Sequence, residues 1–429
     1  MTPEPVGCVV VGGGPGGIEA STGFARQGIR TVIVERAKIG GTCLHVGCIP
    51  AKLLLDRAHH LGGSDPDVAW KEFRRDLVAT IARHERGAAQ LLRQAGVEVV
   101  RGEARPHSGG ISVIGGDGQK RLFLPQHLVV ATGSAPAPAP FPVAGKALLT
   151  SDDIFNLEAL PRSLVVIGGG AVGVELADAF FRFGTAVTLV EVAEQLLPGE
   201  DPEASAILAE ALSSQGVDLR LGRGVVGVEQ GPGLRTVRLN DGEVLHAETV
   251  LLAVGRRADP NPWSAPDGVR VQTIGDAAGG GLAHEAAAMG QSAADVAGGG
   301  APRPLGTLAR CVYTSPAVVG VGLTAADAIR RGAAVVEGRA AWSANPMADV
   351  AGLRGLTKVV ADRATGRLLG VHLVGEGTPE LAALAAALLD FEAGLEDMRW
   401  LVFPHPTLSE TLRSAVVDAC QSLEQPHDG

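Results

Sequence analysis

Cys43 and Cys48, with four residues between them in Gly41-Thr42-Cys43-Leu44-His45-Val46-Gly47-Cys48-Ile49-Pro50-Ala51-Lys52, are the residues best suited to chemistry in this 429-residue chain. Such a pair can form a disulfide that takes up or releases two electrons. It can also be a static disulfide or two ligands of a metal site. A cytosolic chain seldom keeps a static disulfide. A zinc shell needs four ligands at short spacing, and this run falls short of that, so no metal is expected. Just upstream, Gly12-Gly13-Gly14-Pro15-Gly16-Gly17 is a nucleotide-binding signature. A dithiol directly downstream of it reads as a redox-active disulfide placed beside a flavin.

The second reactive cluster is Pro404-His405-Pro406-Thr407-Leu408-Ser409-Glu410. Dithiol–disulfide exchange needs thiolates, and a free pKa near ~8.5 leaves most thiols protonated at neutral pH. A histidine can shuttle that proton, and a carboxylate on its other nitrogen fixes the tautomer and raises its basicity. His405 and Glu410 fit base and orienter. A histidine beside proline is also a common turn residue, so this pair takes its meaning from the cysteines.

These groups need elements to position them. Gly7 to Val11 is a β-rich run that enters the glycine loop, a helical stretch follows from Ile18 to Gln27, and a strand from Thr31 to Val34 closes on Glu35. Gly12 allows the sharp turn, Gly14 lets a pyrophosphate approach the backbone, and Gly17 lets helix and strand pack closely. The helix N-terminus favours the anion, and Glu35 would accept hydrogen bonds from an adenosine ribose. The device recurs: Leu164 to Ile167 leads into Gly168-Gly169-Gly170-Ala171-Val172-Gly173, a helix to about Phe183, and Val187 to Glu191. In both copies the acid stands 23 positions after the first glycine, Glu35 after Gly12 and Glu191 after Gly168. Two dinucleotides are therefore implied. Glu191 would repel a 2′-phosphate and no arginine stands in Val192 to Gln195, so NAD(H) is favoured over NADP(H) at the second site.

The tract Ser134-Ala135-Pro136-Ala137-Pro138-Ala139-Pro140 reads as a stiff linker leaving the first domain. A strand, Leu128 to Val130, ends just before it at Ala131-Thr132-Gly133, and Val250 to Val254 ends similarly at Gly255. Gln272 to Asp276 ends a strand on an acid that could hold a flavin ribityl hydroxyl; the alternative for Asp276 is a helix N-cap. Residues 297–306, rich in Gly and Pro, form a second linker. Beyond it, Leu356 to Ala361 and Arg367 to Leu373 predict an antiparallel hairpin. Pro379 to Phe391 predicts an apolar helix capped by Thr378, suited to an oligomer interface or to ordinary core. Cys8 and Cys311 read as core residues, and Cys420 as a lone thiol.

The composition bounds the rest. Hydrophobic content of 46% with 20% charged residues is that of a globular protein of two to four domains. With 59 glycines and 3% aromatics it suits many tight turns and close backbone approaches to ligands. A net charge of −10 argues against nucleic acid or an anionic membrane as partner. Met1 to Gly7 lacks a basic n-region, and no apolar run reaches the ~18 residues of a spanning helix. The expectation is a soluble cytoplasmic protein.

Over nearly its whole length the chain resembles the pyridine nucleotide–disulfide oxidoreductases, most closely the dihydrolipoyl dehydrogenases. The carriers are the two glycine motifs with Glu175 after the second, Gly41-Thr42-Cys43-x4-Cys48-Ile49-Pro50-x-Lys52 and Ala131-Thr132-Gly133. Gly275-Asp276, Leu282-Ala283-His284, Tyr313-Thr314-x-Pro316 and His405-Pro406-Thr407-x-x-Glu410 complete them. The resemblance implies an α/β fold with two Rossmann-like nucleotide-binding domains plus a C-terminal α+β dimerisation domain. It implies FAD on residues 1–145 and 256–300, NAD on 146–255, and an interface domain at 305–429. Toward FAD it places Gly12, Gly14, Pro15, Gly17, Glu35, Thr42, Lys52, Ala104, Ala131, Thr132, Gly133, Asp276, Leu282, Ala283 and His284. Toward NAD it places Gly168, Gly170, Val172, Gly173, Glu175, Glu191, Val225 and Gly255.

Lys52 and Glu175 look like the family's ion pair beside the flavin. A head-to-tail homodimer is implied, in which His405 and Glu410 serve the other subunit's disulfide. A substrate dithiol, deprotonated by His405, would attack Cys43 and expel Cys48, with electrons moving between the dithiol, FAD and NAD(H). The substrate is a small dithiol or disulfide, or a lipoyl-bearing protein. Several departures leave room for a specialised disulfide reductase or dithiol oxidase with a non-lipoyl substrate. The stretch from Gly255 to Gly275 is short around Ala258-Asp259-Pro260-Asn261-Pro262, Met289 replaces a usual acid, and Phe403-Pro404 lead into His405.

Overall fold

The computed structural model describes residues 2–258, 263–302 and 304–424. Of the short stretch after Gly255, residues 259–262 lie outside the described residues.

Apolar β-branched runs build the first sheet. Strand Glu4–Val11 pairs in parallel with Thr31–Glu35 on one side and with Lys120–Val130 on the other, Val10 lying between Ile33 and Val129. Glu98–Arg101 and Arg270–Thr273 add parallel strands, and Gly110–Ile114 and Glu103–His107 continue antiparallel from Lys120–Val130. Helix α1 (Pro15–Arg26) starts at the proline, earlier than the sequence predicts, because Pro is favoured in a first turn. Helices α2 (Gly41–His45) and α3 (Cys48–His59) follow, then α4 (Pro66–Gln94).

The second sheet is wholly parallel, in the order Asp218–Arg220, Ala186–Val190, Ser163–Ile167, Thr249–Leu252, Leu149–Thr150. Helices α5 (Ala171–Arg182) and α6 (Pro202–Gln215) belong to it. Its antiparallel companion joins Val225–Gln230, Arg235–Leu239 and Val244–Ala247. Val143–Ala144, before the expected boundary at 145, pairs with Val225–Gln230 and so belongs to this second unit.

The Pro/Ala tract corrects its reading as a linker. Ser134–Pro136 is a strand, antiparallel to Arg256–Ala258, so the outgoing and returning chains form a two-stranded ribbon between the nucleotide units. Proline is tolerated there because the ribbon is all edge. Helix α7 (Ala283–Ala297) then packs on α1 through small residues: a Cβ at Gly23 would stand 2.6 Å from that of Ala294, and one at Gly290 would overlap the Gly16 carbonyl.

The C-terminal sheet is antiparallel, in the order Ala309–Val312, Val318–Gly322, Leu368–Val374, Leu356–Asp362, Val335–Ala341. The hairpin lies where the sequence predicts it, as Leu356–Asp362 and Leu368–Val374. The apolar helix is Thr378–Asp390, with Gly377 as its cap; Thr378 is its first residue, and its hydroxyl donates to the Gly375 carbonyl at 2.9 Å. Helix Glu410–Glu424 packs on the same core.

Paired residues across this sheet form the row Arg310, Gly320, His372, Lys358, Arg339. The row meets the acidic turn before α6. Arg310 clamps Glu200 at 2.6 and 3.0 Å, and Lys358, buried, lies 2.9 Å from Asp201 and 2.7 Å from Glu203. Gly320 leaves the space that the Glu200 carboxylate enters. Charge thus fastens the second unit to the C-terminal sheet. No helix among the described residues is long and apolar enough to cross a membrane.

Candidate active site

The disulfide segment is built against the first glycine loop. Gly40 and Gly41 take φ of 114° and 58°, which L side chains rarely adopt. A Cβ at Gly41 would stand 2.7 Å from the Gly14 Cα, and the Gly40 amide donates to the Gly13 carbonyl at 2.7 Å. Only glycines allow this approach. Cys43 lies within α2, and Cys48 is the first residue of α3.

Both cysteines are free thiols in this structure. The Cys43 thiol donates to the Cys48 sulfur, and this bond, with the Lys52 charge and Cys48's own amide at the helix start, outweighs burial and brings Cys48 down to about 6. The same bond, helped by burial, pushes Cys43 well above the ordinary thiol range. The pair is thereby polarised, with charge favoured on Cys48 and the proton on Cys43.

Lys52 follows Cys48 by one helical turn and binds both oxygens of Glu175, at 2.9 and 2.8 Å. Glu175, on α5, is 5% exposed and also accepts from the Tyr313 amide at 2.9 Å. The Tyr313 ring lies 4.5 Å from the Lys52 ammonium. One cation is thus held between a carboxylate from the second unit and an aromatic face from the C-terminal region.

These groups wall a cavity of about 1750 Å³, larger than the ~300–1,000 Å³ of an ordinary small-molecule site. Gly12, Gly14, Pro15, Gly17, Glu35, Thr42, Cys43, Cys48, Lys52, Ala104, Ala131, Thr132, Gly133, Asp276, Leu282, Ala283 and His284 all line it. The fit to a dinucleotide is steric and electrostatic. A Cβ at Gly12 would overlap the Ala131 carbonyl, one at Gly17 would overlap the Gly12 carbonyl, and one at Gly14 would meet only the Gly41 Cα, at 4.0 Å. Gly14 caps α1 without a side-chain bond, so the first-turn amides are left for an anion. Glu35 is aimed by backbone amides, accepting from those of Gly13 and Ala37, each at 2.7 Å. Asp276 lies in a 3₁₀ turn after the strand, and its carboxylate accepts from the Ser134 hydroxyl rather than capping a helix. Met289 accepts from the Gly275 amide through its sulfur at 3.3 Å.

The second loop repeats the geometry. Gly168 has φ of 112°, its Cβ would lie 2.8 Å from the Ala253 carbonyl carbon, and a Cβ at Gly173 would overlap the Gly168 carbonyl. Gly170 faces open space and caps α5 without a side-chain bond. Glu191 accepts from the Gly169 amide at 2.5 Å and the Ala193 amide at 2.8 Å. Val172 is exposed, and Gly255 turns the chain at φ 104°. Val225 begins a strand shortly after Arg223, whose amide donates to the Glu191 carbonyl at 3.0 Å. The Arg223 guanidinium pairs with Asp241.

His405 Nδ1 stands 2.9 Å from Glu410, whose other oxygen accepts from the Thr407 amide at 2.9 Å. The Thr407 amide, then His405, hold Glu410 below the usual carboxylate range. The ring is exposed, and neither residue lines the cavity of Cys43 and Cys48. Within one chain the structure does not bring these two halves together.

Three residues escaped the sequence reading. Cys311 packs against the C-terminal core, as read, but is only half-buried and also lines the cavity wall, which the sequence did not show; burial raises its pKa. Tyr313 entered only as part of a motif, although it is the single tyrosine of the chain and singularity was a signal. Arg256 lines the same cavity and gave no sequence signal. Cys8 is buried, as expected.

A family pattern described as pyridine nucleotide-disulphide oxidoreductase matches residues 6–281, and its dimerisation domain matches residues 308–416. A dihydrolipoyl dehydrogenase of Chlorobaculum tepidum is 35% identical, the alignment covering 96% of this chain and 97% of that one. One of Bacillus subtilis is 32% identical over 96% and 97%. Among solved structures, the flavoprotein disulfide reductase RclA of Escherichia coli superposes with a TM-score of 0.86 at 23% identity, over 97% of this chain and 99% of that one. LpdA of Mycobacterium tuberculosis superposes with a TM-score of 0.83 at 24% identity, over 96% and 99%.

Proposed function

The chain belongs to the pyridine nucleotide-disulphide oxidoreductases, and from that premise we propose that it is a dihydrolipoyl dehydrogenase-type enzyme. It moves electrons between a dithiol, the Cys43–Cys48 pair, FAD and NAD(H). The observation that carries this reading is the Cys48–Lys52–Glu175 array on the wall of the cavity that the first glycine loop opens into. FAD fits the first loop and its acid Glu35, and NAD the second with Glu191. The Arg223 guanidinium, shortly after the Glu191 turn, is engaged by Asp241, which favours NAD over NADP.

His405 takes the proton of the substrate thiol at Nε2 while Glu410 holds Nδ1–H. The resulting thiolate attacks Cys43, the Cys43–Cys48 bond breaks, and Cys48 leaves as a thiolate. Lys52 and the start of α3 stabilise that charge. The chemistry the flavin supplies when bound is acceptance of the electron pair, which NAD carries away as hydride. Since His405 stands outside the cavity of its own disulfide, the cycle is completed by a second copy, in a homodimer.

Steady-state NAD reduction with dihydrolipoamide and a panel of unrelated dithiols tests the substrate. A clear preference for dihydrolipoamide is expected, and equal rates across the panel would overturn it. His405→Gln should slow the dithiol half-reaction by roughly two to four decades while NADH still reduces the flavin. One observation favours the second reading, a specialised disulfide reductase. Trp400, Leu401 and Val402 are exposed apolar residues shortly before His405 in the chain, a setting that suits a more apolar disulfide; the same panel, extended to disulfides with NADH, separates the two.

A further inference from the structure

An arginine on the wall of a dinucleotide cavity is ordinarily read as a phosphate ligand, because its planar fork suits an oxyanion. Arg256 does not fit that role. A guanidinium has five N–H donors, and the structure spends all of them on protein. Nε donates to the Ser134 hydroxyl at 3.0 Å, and one terminal nitrogen donates to Asp152 at 2.7 Å and Ser151 at 3.3 Å. The other donates to the Ser134 carbonyl at 2.8 Å and reaches the Thr42 hydroxyl at 3.5 Å. The three short bonds of Arg256 all go to protein, and the two longer reaches, to Ser151 and Thr42, also point to protein rather than to a ligand.

The position of the residue says what it does instead. Arg256 opens the returning strand of the ribbon that joins the nucleotide units, opposite Pro136. Ser134 and Thr42 belong to the first unit, and Thr42 precedes Cys43. Ser151 and Asp152 follow the edge strand Leu149–Thr150 of the second sheet. Ser134, having accepted from Arg256, donates its own hydroxyl hydrogen bond to the Asp276 carboxylate. A chain of hydrogen bonds therefore runs Asp152, Arg256, Ser134, Asp276 across the crossing.

We propose that Arg256 is a positioning residue that sets the orientation of Asp276 toward FAD and the angle at which the second unit presents its nucleotide, through two separable arms. This rests on the reading of the two cradles given above. The Ser134 arm acts on FAD, and the Asp152 arm acts on NAD.

The arms are cut separately in the full-length holoenzyme. Ser134→Ala should weaken FAD retention at least tenfold, read as released-FAD fluorescence during dialysis, with KM for NAD unchanged. Asp152→Ala should raise KM for NAD severalfold with FAD retention unchanged. Arg256→Met should show both defects, and Arg256→Lys should rescue neither, because an ammonium cannot span both arms. The proposal is overturned if the two single-arm variants show the same mixture of defects, or if Arg256→Lys behaves as wild type. A wild-type protein that binds no FAD would defeat the underlying reading. Wild-type FAD binding with unaltered Ser134→Ala and Asp152→Ala would defeat the inference alone.

Discussion

The two glycine loops have nearly the same backbone and different surroundings. Each opens on a glycine in the left-handed region, at φ 108° and 112°, and each aims its acid with two loop amides. The first loop lines the large cavity along its whole length, from Gly12 to Gly17, with α7, the disulfide helices and the Ala131–Gly133 turn around it. Of the second motif, only Ala171, Val172, Glu175 and Leu176 reach that cavity, and Ala171 and Val172 at the mouth of the loop are exposed. The same anion-binding device thus makes an enclosed seat in one place and an open dock in the other. A group that stays for many turnovers needs enclosure, and one that exchanges each turnover needs access. What surrounds a motif decides its use.

Paired glycine substitutions should break this comparison if it is wrong. Gly12→Ala puts a Cβ into the Ala131 carbonyl at a positive φ, and we expect protein purified without FAD. Gly168→Ala strains the second loop alike, yet should retain FAD and raise KM for NAD at least tenfold. Equal loss of FAD from both variants would show that the two seats are not independent. A smaller effect sharpens the comparison at the acids. Glu191→Gln removes a charged acceptor worth about 1.5–3 kcal/mol per hydrogen bond. KM for NAD should rise on the order of 10–100-fold with kcat nearly unchanged, and an unchanged KM would remove Glu191 from the dock.

The disulfide side tests the enclosed seat by pH. Thiolate absorbance of the reduced protein should fall as pH drops through about 6, the value set for Cys48 chiefly by its bond from Cys43. Cys43→Ala removes that donor and should move the midpoint upward; a midpoint that stays put would assign the thiolate to another cysteine.

How much of this was legible follows from how local each constraint is. The glycine loops could be read because every position in them has its own steric demand, and the helix, strand and acid fall within one short unit. The cysteine pair was legible for the same reason. Lys52 and Glu175 are 123 residues apart, so no spacing rule joins them; only resemblance proposed the pair. Arg256 was opaque because its partners come from three separate segments. The tract at Ser134–Pro140 misled because the proline content signals a linker, whereas a strand that needs few ladder donors can still pair along one edge. His405 and Glu410 were legible as a pair, and the structure bonds them, but within one chain they do not meet the cavity of Cys43 and Cys48.

The smallest effect concerns how the units are fastened. The first unit's α1 packs on α7 through small residues, whereas the second meets the C-terminal sheet through Arg310, Lys358 and Arg339 facing Glu200, Asp201 and Glu203. Arg339, then Lys358, hold Glu203 down to about 2, against a free carboxylate near 4.5. A depressed carboxylate contributes stability that is present above its unfolded pKa and is lost as pH falls through the folded one. The loss should therefore begin below pH 4.5 and be complete near 2. Glu203 is 39% exposed, so screening limits its share to about 1 kcal/mol. Thermal unfolding followed from pH 7 to 3 should show Tm of wild type and Glu203→Gln converging as the pH falls, with the variant lower at neutral pH. Parallel curves would mean that Glu203 does not fasten the second unit.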